Sequence, residues 1–233
     1  MATIVGLCGS LRQASFNRML LEALAAAAAP DATIEIASIR EIPLYDGDVE
    51  AGEGIPEPVQ TLKNRIADRQ GLLIVTPEYN NSIPGVMKNA IDWLSRPPAD
   101  IRRVFRGKLV AIAGATPGLG ATNLSQAAWL PVIRTLGMRP WFEGRLGIAG
   151  AGNVFDASGR IVDDAIRERV RTFEEACSDP DAFEEHGGPM KRRPGMDERR
   201  SQRLDDTARG SCRMQAELIG HAAPVRTGRI GNL

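Results

Sequence analysis

From residue 2 to residue 176, short and almost wholly apolar runs alternate with longer segments of helical period, a pattern that few folds accept. Ala2 to Cys8, Gly71 to Val75 and Leu109 to Ala113 are nearly continuous in apolar residues. A strand with one wet face alternates, so runs of this kind predict strands covered on both faces. Thr33 to Ile39 does alternate and is placed nearer a sheet edge, and Arg139 to Phe142 begins a fifth strand. The intervening helices are predicted over Ser15 to Ala29, stopped by Pro30, then Pro58 to Arg69, Pro84 to Leu94, Gly120 to Leu136 with a kink at Pro131, and Ile161 to Ala176. Ile42 to Pro56, rich in Pro and Gly, reads as irregular. Strand and helix alternating five times predict an α/β fold with a parallel sheet and helices on both faces. Ligands of such sheets bind at the carboxyl ends of the strands, which singles out the loops after the first, third and fourth strands.

Composition narrows what those loops can do. The 233 residues, 43% hydrophobic, suffice for one packed domain with an appendage. The 29 basic and 29 acidic residues cancel, and with a pI near 6.8 no global field recruits nucleic acid or an anionic membrane. No apolar run approaches the roughly 18 to 20 residues of a transmembrane helix and no leader pattern precedes the first strand, so the chain is expected in the cytoplasm. Cys8, Cys177 and Cys212 have no C-x-x-C spacing and read as buried or incidental thiols. The two histidines, His186 and His221, both fall in the C-terminal stretch. A globular part without histidine has neither a Ser-His-Asp triad nor histidine-ligated zinc, and its chemistry is expected to come from a cofactor, with no metal site.

The loop Gly9-Ser10-Leu11-Arg12-Gln13-Ala14-Ser15-Phe16-Asn17 brings small hydroxylated residues and one arginine to a helix N-terminus, which is the make-up of an anion site. It lacks both the G-x-G-x-x-G spacing and the Gly-Lys-Ser/Thr of a Walker loop, so a monophosphate fits best. A plain helix cap at Ser15 beside a surface arginine is the competing reading. In the third loop, Pro77 and Pro84 stiffen the ends of an amide-rich turn, Thr76-Pro77-Glu78-Tyr79-Asn80-Asn81-Ser82, suited to a planar heterocycle. Tyr79 can pack on such a ring or simply pack locally, and Glu78 reads as a structural or subunit-contact carboxylate. The fourth loop, Gly114 to Gly120, lets backbone approach a flat ligand closely.

From Ile4 to about Phe173 the chain resembles the NADPH-dependent FMN reductases, especially their bacterial branch of chromate, quinone and azo-dye reductases. The matching stretches are Gly9-Ser10-Leu11-Arg12 with Ser15-Phe16-Asn17, Ile42-Pro43-Leu44-Tyr45-Asp46, Thr76 to Asn80 through Pro84-Gly85, and Lys88 to Arg96. The resemblance implies a flavodoxin-like three-layer sandwich with a five-stranded parallel sheet in the order 2-1-3-4-5. It further implies FMN as cofactor, NADPH or NADH as co-substrate, a small-molecule electron acceptor, ping-pong hydride transfer through the flavin, and a homodimer or homotetramer. Ser10, Arg12, Ser15 and Asn17 would hold the FMN phosphate. Pro77, Glu78, Tyr79 and Asn80 would line the ring, and Thr116, Pro117 and Gly118 would close its other side. Ala115 and Pro117 stand where relatives often carry a more hydroxylated, glycine-rich loop.

Two other classes share the pattern: a one-electron carrier of the flavodoxin type, against which the neutral charge argues, and a flavin-binding interaction module. The resemblance ends near the fifth helix. Residues 1–180 are expected to form the reductase domain and 181–233 a disordered tail, with ten Lys and Arg against five Asp and Glu from His186 onward. If that tail is a solvated extension, deleting residues 186–233 leaves turnover and its salt dependence unchanged in steady-state assays.

Overall fold

The continuous apolar runs form the middle of a parallel sheet. In a computed structural model, whose described residues are 2–28, 32–142 and 144–177, β1 (Ala2–Cys8) lies between β2 (Ala32–Ala37) and β3 (Gly71–Val75), and β4 (Leu109–Ala115) lies beyond β3. Register is fixed along these ladders, with Val5 opposite Leu72 and Leu72 opposite Val110. The order 2-1-3-4-5 is that of a flavodoxin-like sheet.

Successive strand residues divide between two cores. Leu73 and Val75 join Ile4 beneath α1 (Phe16–Ala27) and α7 (Asp164–Cys177). Leu72 and Ile74 join Val5 and Leu7 beneath α3 (Glu57–Ala67), α4 (Gly85–Leu94) and α6 (Asn123–Leu136). Both faces being dry is why β3 is apolar at every position. Trp93 and Trp129, both wholly buried, anchor the second face, and truncating either to Ala would cost about 3–5 kcal/mol. Cys8 and Cys177 are buried thiols, and burial pushes the Cys177 thiol up to about 12.

Several boundaries differ from the sequence reading for local reasons. The stretch expected to be irregular contains a helix, α2 (Gly47–Glu53), capped by the Asp46 side chain through Asp48 N. None of its residues is buried, so it carries no apolar period to read. A one-turn helix, α5 (Ile101–Val104), precedes β4. Helix α6 starts at Asn123 rather than Gly120, because Ala121 and Thr122 take φ of 49° and 58°. Pro131 sits on its exposed side without ending it.

The fifth position of the sheet is shared by two short pieces. β5 (Arg139–Pro140) pairs with Leu109 and Val110, and β6 (Leu146–Ile148) pairs with Ala113 to Ala115. Between them the Trp141 indole packs edge-on against Phe173, ring centroids 5.2 Å apart, and fills the space where a Cβ on Gly144 would stand. The chain detours around that ring. The residues expected to form the basic tail, with Cys212 and both histidines, lie outside the described residues. Among the described residues no helix is long and apolar enough to cross a membrane.

The turn between β6 and α7 is organised by one carboxylate. Asp156 accepts from the backbone N–H of Ser158 and Arg160 and from the Ser158 hydroxyl, at 2.6–3.0 Å. These donors, the Ser158 hydroxyl first, hold its pKa down at about 2 from an ordinary 3.8. A carboxyl depressed in the folded state adds stability above its unfolded pKa and loses it as pH falls through the folded value. Relative to Asp156→Asn, the parent should therefore be more stable in urea unfolding at pH 6, with the gap closing between pH 4 and pH 2. A gap independent of pH would show that the charge is not what holds the turn.

Candidate functional site

At the carboxyl edge of the sheet, the loops after β1, β3 and β4 are joined to one another by hydrogen bonds. Gly9 N donates to Val75 O at 2.9 Å and Thr76 N to Ala113 O at 2.8 Å, carrying the ladder past the strand ends. Only a residue without Cβ fits at Gly114, where a Cβ would collide with Thr122 and lie 2.5 Å from Thr76 O. The three loops thus form a single crest.

In the first loop Ser15 caps α1, its side chain accepting from Arg18 N at 3.3 Å. The N–H groups of Phe16 and Asn17, in the first turn ahead of it, have no carbonyl four residues back inside the helix. No acidic residue stands in that turn. Ser10 Oγ receives Arg12 N and the Tyr79 hydroxyl, both at 3.4 Å, and so links the first loop to the third. Arg12 is exposed and gives one guanidinium N–H to Ala14 O at 3.1 Å. Uncommitted N–H groups, two serines and an arginine at a helix start fit a phosphate monoester.

Asn17 belongs to the same loop but its side chain is committed elsewhere. Buried, its Nδ2 donates to Ala115 O at 2.8 Å and its Oδ1 accepts from Ala115 N at 2.9 Å. The carboxamide thereby continues the sheet pairing at the end of β4 on the side where β3 has ended, opposite β6. It ties α1 to the fourth loop.

The Glu78 side chain is committed in a similar way. Its Oε2 accepts from Leu124 N and Ser125 N, at 2.8 and 3.1 Å. Thr122 stands at the N-cap of α6 in a left-handed conformation and makes no side-chain cap bond, so Glu78 caps that helix from the neighbouring loop. Its carboxylate thereby ties the third loop to the start of α6. Thr76 does related work below it: the buried hydroxyl meets Ser125 Oγ at 2.9 Å and receives Trp129 Nε1 at 3.3 Å.

The turn itself is a two-residue hairpin. Tyr79 and Ser82 exchange both backbone hydrogen bonds, at 3.1 and 3.2 Å, while Asn80 and Asn81 take φ of 50° and 59°. Paired left-handed residues make a type I′ turn, a conformation asparagine tolerates well. Both asparagines are exposed, Pro77 is buried against Gly9, and the Tyr79 ring is 45% exposed. Across the crest, Thr116 N donates to Ile148 O and Ala151 N to Thr116 O, at 2.9 and 3.0 Å, so β6 fixes the fourth loop. Pro117 and Gly118 are exposed on it and Leu119 is 93% exposed. Of the residues named from the sequence, Ser10, Arg12, Ser15, Pro77, Tyr79, Asn80, Thr116, Pro117 and Gly118 stand on this crest with surface toward it or as its wall.

Two sequence stretches that looked separately specific meet here. Asn89 Nδ2 and Trp93 Nε1 donate to Pro43 O at 2.8 and 3.0 Å, and Tyr45 N donates to Asn89 Oδ1 at 2.8 Å. Tyr45 also donates to Glu50 and lies edge-on to Trp93. The Arg96 guanidinium holds the Glu50 carboxyl below its usual range. Residues 43 to 46 are thereby pinned onto α4, a role that only the three-dimensional contact reveals.

Known proteins resemble this chain in sequence and fold. The family described as NADPH-dependent FMN reductase matches residues 2–152. The chain is 40% identical over 168 residues to the NAD(P)H-dependent FMN reductase of Pseudomonas aeruginosa, covering 72% of this chain and 89% of that protein. It is also 40% identical over 165 residues to a 2-hydroxy-1,4-benzoquinone reductase of Burkholderia, covering 71% and 88%. A solved structure, the flavoenzyme NAD(P)H:(acceptor) oxidoreductase of Paracoccus denitrificans, superposes with a TM-score of 0.71 at 31% identity over 80% of this chain and 99% of that one.

The two clasps differ in burial, and their removal should differ in cost. Asn17→Ala strands a buried N–H and C=O and is expected to lose about 2–4 kcal/mol in urea unfolding. Glu78→Ala removes a cap and should lose about 1 kcal/mol, most of it recovered by Glu78→Gln, which keeps an acceptor oxygen. An Asn17→Ala protein as stable as the parent yet unable to bind FMN would return Asn17 to a direct ligand role.

Proposed function

Because the chain belongs to the NADPH-dependent FMN reductase family, we propose that its crest seats FMN and that the protein reduces quinones and other small oxidised acceptors at the expense of cytoplasmic NAD(P)H. The reading is carried by one observation: an anion-ready helix start and an exposed amide turn are tied to each other through Tyr79 and Ser10. A phosphate and a flat ring of one molecule need that adjacency.

Bound FMN supplies the group that accepts hydride from the nicotinamide and passes reducing equivalents to the acceptor. The chain's share is binding and orientation. Ser10, Arg12, Ser15 and the N–H groups of Phe16 and Asn17 hold the phosphate. Pro77, Tyr79 and Asn80 form one wall for the ring, with Thr116, Pro117 and Gly118 opposite. Asn17 and Glu78 act at one remove: the first sets the distance between the phosphate loop and the fourth loop, and the second fixes the helix behind the ring wall. Backbone N–H groups held in fixed positions stabilise charge gained by the ring without reorganising during turnover.

The side of the crest away from these walls is open, so nicotinamide and acceptor take turns on it. An open face discriminates little by shape, which suits quinones, free flavins, azo compounds and chromate alike. Val86, Leu119 and Leu124, respectively 39%, 93% and 52% exposed, make an apolar rim beside the seat. In a homodimer or homotetramer a second copy covers that rim and narrows the opening.

The purified protein should be yellow, or become so on adding FMN, and should oxidise NADPH or NADH with a quinone, free FMN or chromate as acceptor. Initial rates at varied concentrations of both substrates should give parallel double-reciprocal lines. A colourless protein that fails to take up FMN would remove the reading, and intersecting lines would remove the alternating order.

A further inference from the structure

Against the first loop lies a cavity of about 310 Å³, between the carboxyl ends of β1 and β2 and the first turns of α1. Ser10 belongs to both, its Oγ bonded to Tyr79 while the residue lines the cavity, so the two sites share a wall. Arg12, Arg18 and Arg40 surround it, with Gln13 and Ser38 as further polar lining and Glu22 as the single carboxylate. With Arg12 given to the flavin phosphate, Arg18 and Arg40 against Glu22 leave a net positive charge around a space lined also by Cys8 and Ile39.

The arginines are positioned without being used up. Arg40 is held by one guanidinium N–H on Leu11 O, and its own backbone N–H rests on Ser38 Oγ at 3.2 Å. Arg18 is held by its Nε on Glu22, and Arg12 by one Nη2 bond to Ala14 O. A guanidinium has five N–H donors, so each retains donors for a ligand. The Arg18 and Arg40 forks facing one cavity suit an anion with several equivalent oxygens, such as a phosphate monoester, which carries about −1.5 to −2 at neutral pH. In the preceding reading the flavin's own phosphate rests on Ser15 and the N–H groups of Phe16 and Asn17, none of which lines this cavity.

We propose that this cavity receives the 2′-phosphate of NADPH, with Arg18 and Arg40 as the residues that separate NADPH from NADH. The inference rests on the preceding reading that a nicotinamide nucleotide is the co-substrate. That phosphate is the chemical difference between the two nucleotides, and it is a dianionic monoester of the kind the cavity suits. The cavity volume accommodates a phosphorylated ribose.

The test uses FMN-loaded protein and calorimetric titration with adenosine 2′,5′-bisphosphate, 5′-AMP and inorganic phosphate. The bisphosphate should bind at least about tenfold more tightly than 5′-AMP, an advantage of about 1.4 kcal/mol. Arg40→Gln and Arg18→Gln should each cut that advantage several-fold, and the NADPH to NADH ratio of kcat/KM should fall with it. FMN affinity, read by fluorescence titration, reports whether Arg40→Gln has disturbed Leu11; Arg18→Gln makes no contact with that loop backbone and carries the test alone if so. Equal affinity for bisphosphate and 5′-AMP in the parent, or an advantage unchanged in Arg18→Gln, overturns the proposal. Inorganic phosphate binding as tightly as the bisphosphate also overturns it, in favour of a free-phosphate site. Failure to bind FMN would instead sink the flavin reading, and titration of the FMN-free protein would still report on the cavity.

Discussion

The Asn17 carboxamide donates to and accepts from the backbone of Ala115, 98 residues away, at the point where β4 runs past the end of β3. A parallel sheet buried on both faces has a recurring difficulty at its carboxyl edge, where the ladder stops but the backbone is not yet in water. A loop that met its polar groups with solvent would be mobile, and a seat for a flat ligand has to be rigid. The carboxamide resolves this by imitating a strand for one residue. Because Asn17 lies one residue into α1 from the first helical position, the same bond sets the first loop and the fourth loop at a fixed separation. Glu78 does for α6 what Asn17 does for β4, supplying from a neighbouring loop the acceptor that Thr122 does not provide.

This division of labour explains why the crest was only partly legible in the sequence. Strand runs and turn chemistry are local signals, and they gave the parallel sheet, the succession of its elements and the amide turn, while the strand order came from the family resemblance. Ser10 and Arg12 could be assigned to an anion site because residue types at a helix N-terminus carry their own physics. Asn17 and Glu78 have the composition of ligands, and nothing within their own loops distinguishes a side chain that faces solvent from one spent on a distant backbone. Their roles are set by contacts 98 and 46–47 residues away. Helix α2 escaped notice for the opposite reason: its sequence buries nothing, and its Asp46 cap is a signal of one residue.

The stretches Ile42 to Asp46 and Lys88 to Arg96 show a third case. Each looked like a fragment of family pattern without evident function. In the fold they are two halves of one contact, with Asn89 and Trp93 holding the Pro43 carbonyl and Arg96 and Tyr45 converging on Glu50. Residues that satisfy each other across 40 to 50 positions leave no trace in the period or composition of either piece.

The broken fifth strand has a bearing on how this protein behaves in a crowded solution. An exposed sheet edge is a row of unpaired N–H and C=O groups that can template a foreign strand. Here one edge offers ladders of two and three residues, separated by the detour around Trp141. At the other edge, β2 carries Glu35 clasped by Arg65 and Arg69, a charged brace that an incoming strand would have to displace. One margin is broken and the other is braced, so self-association through strand pairing is discouraged at both ends of the sheet.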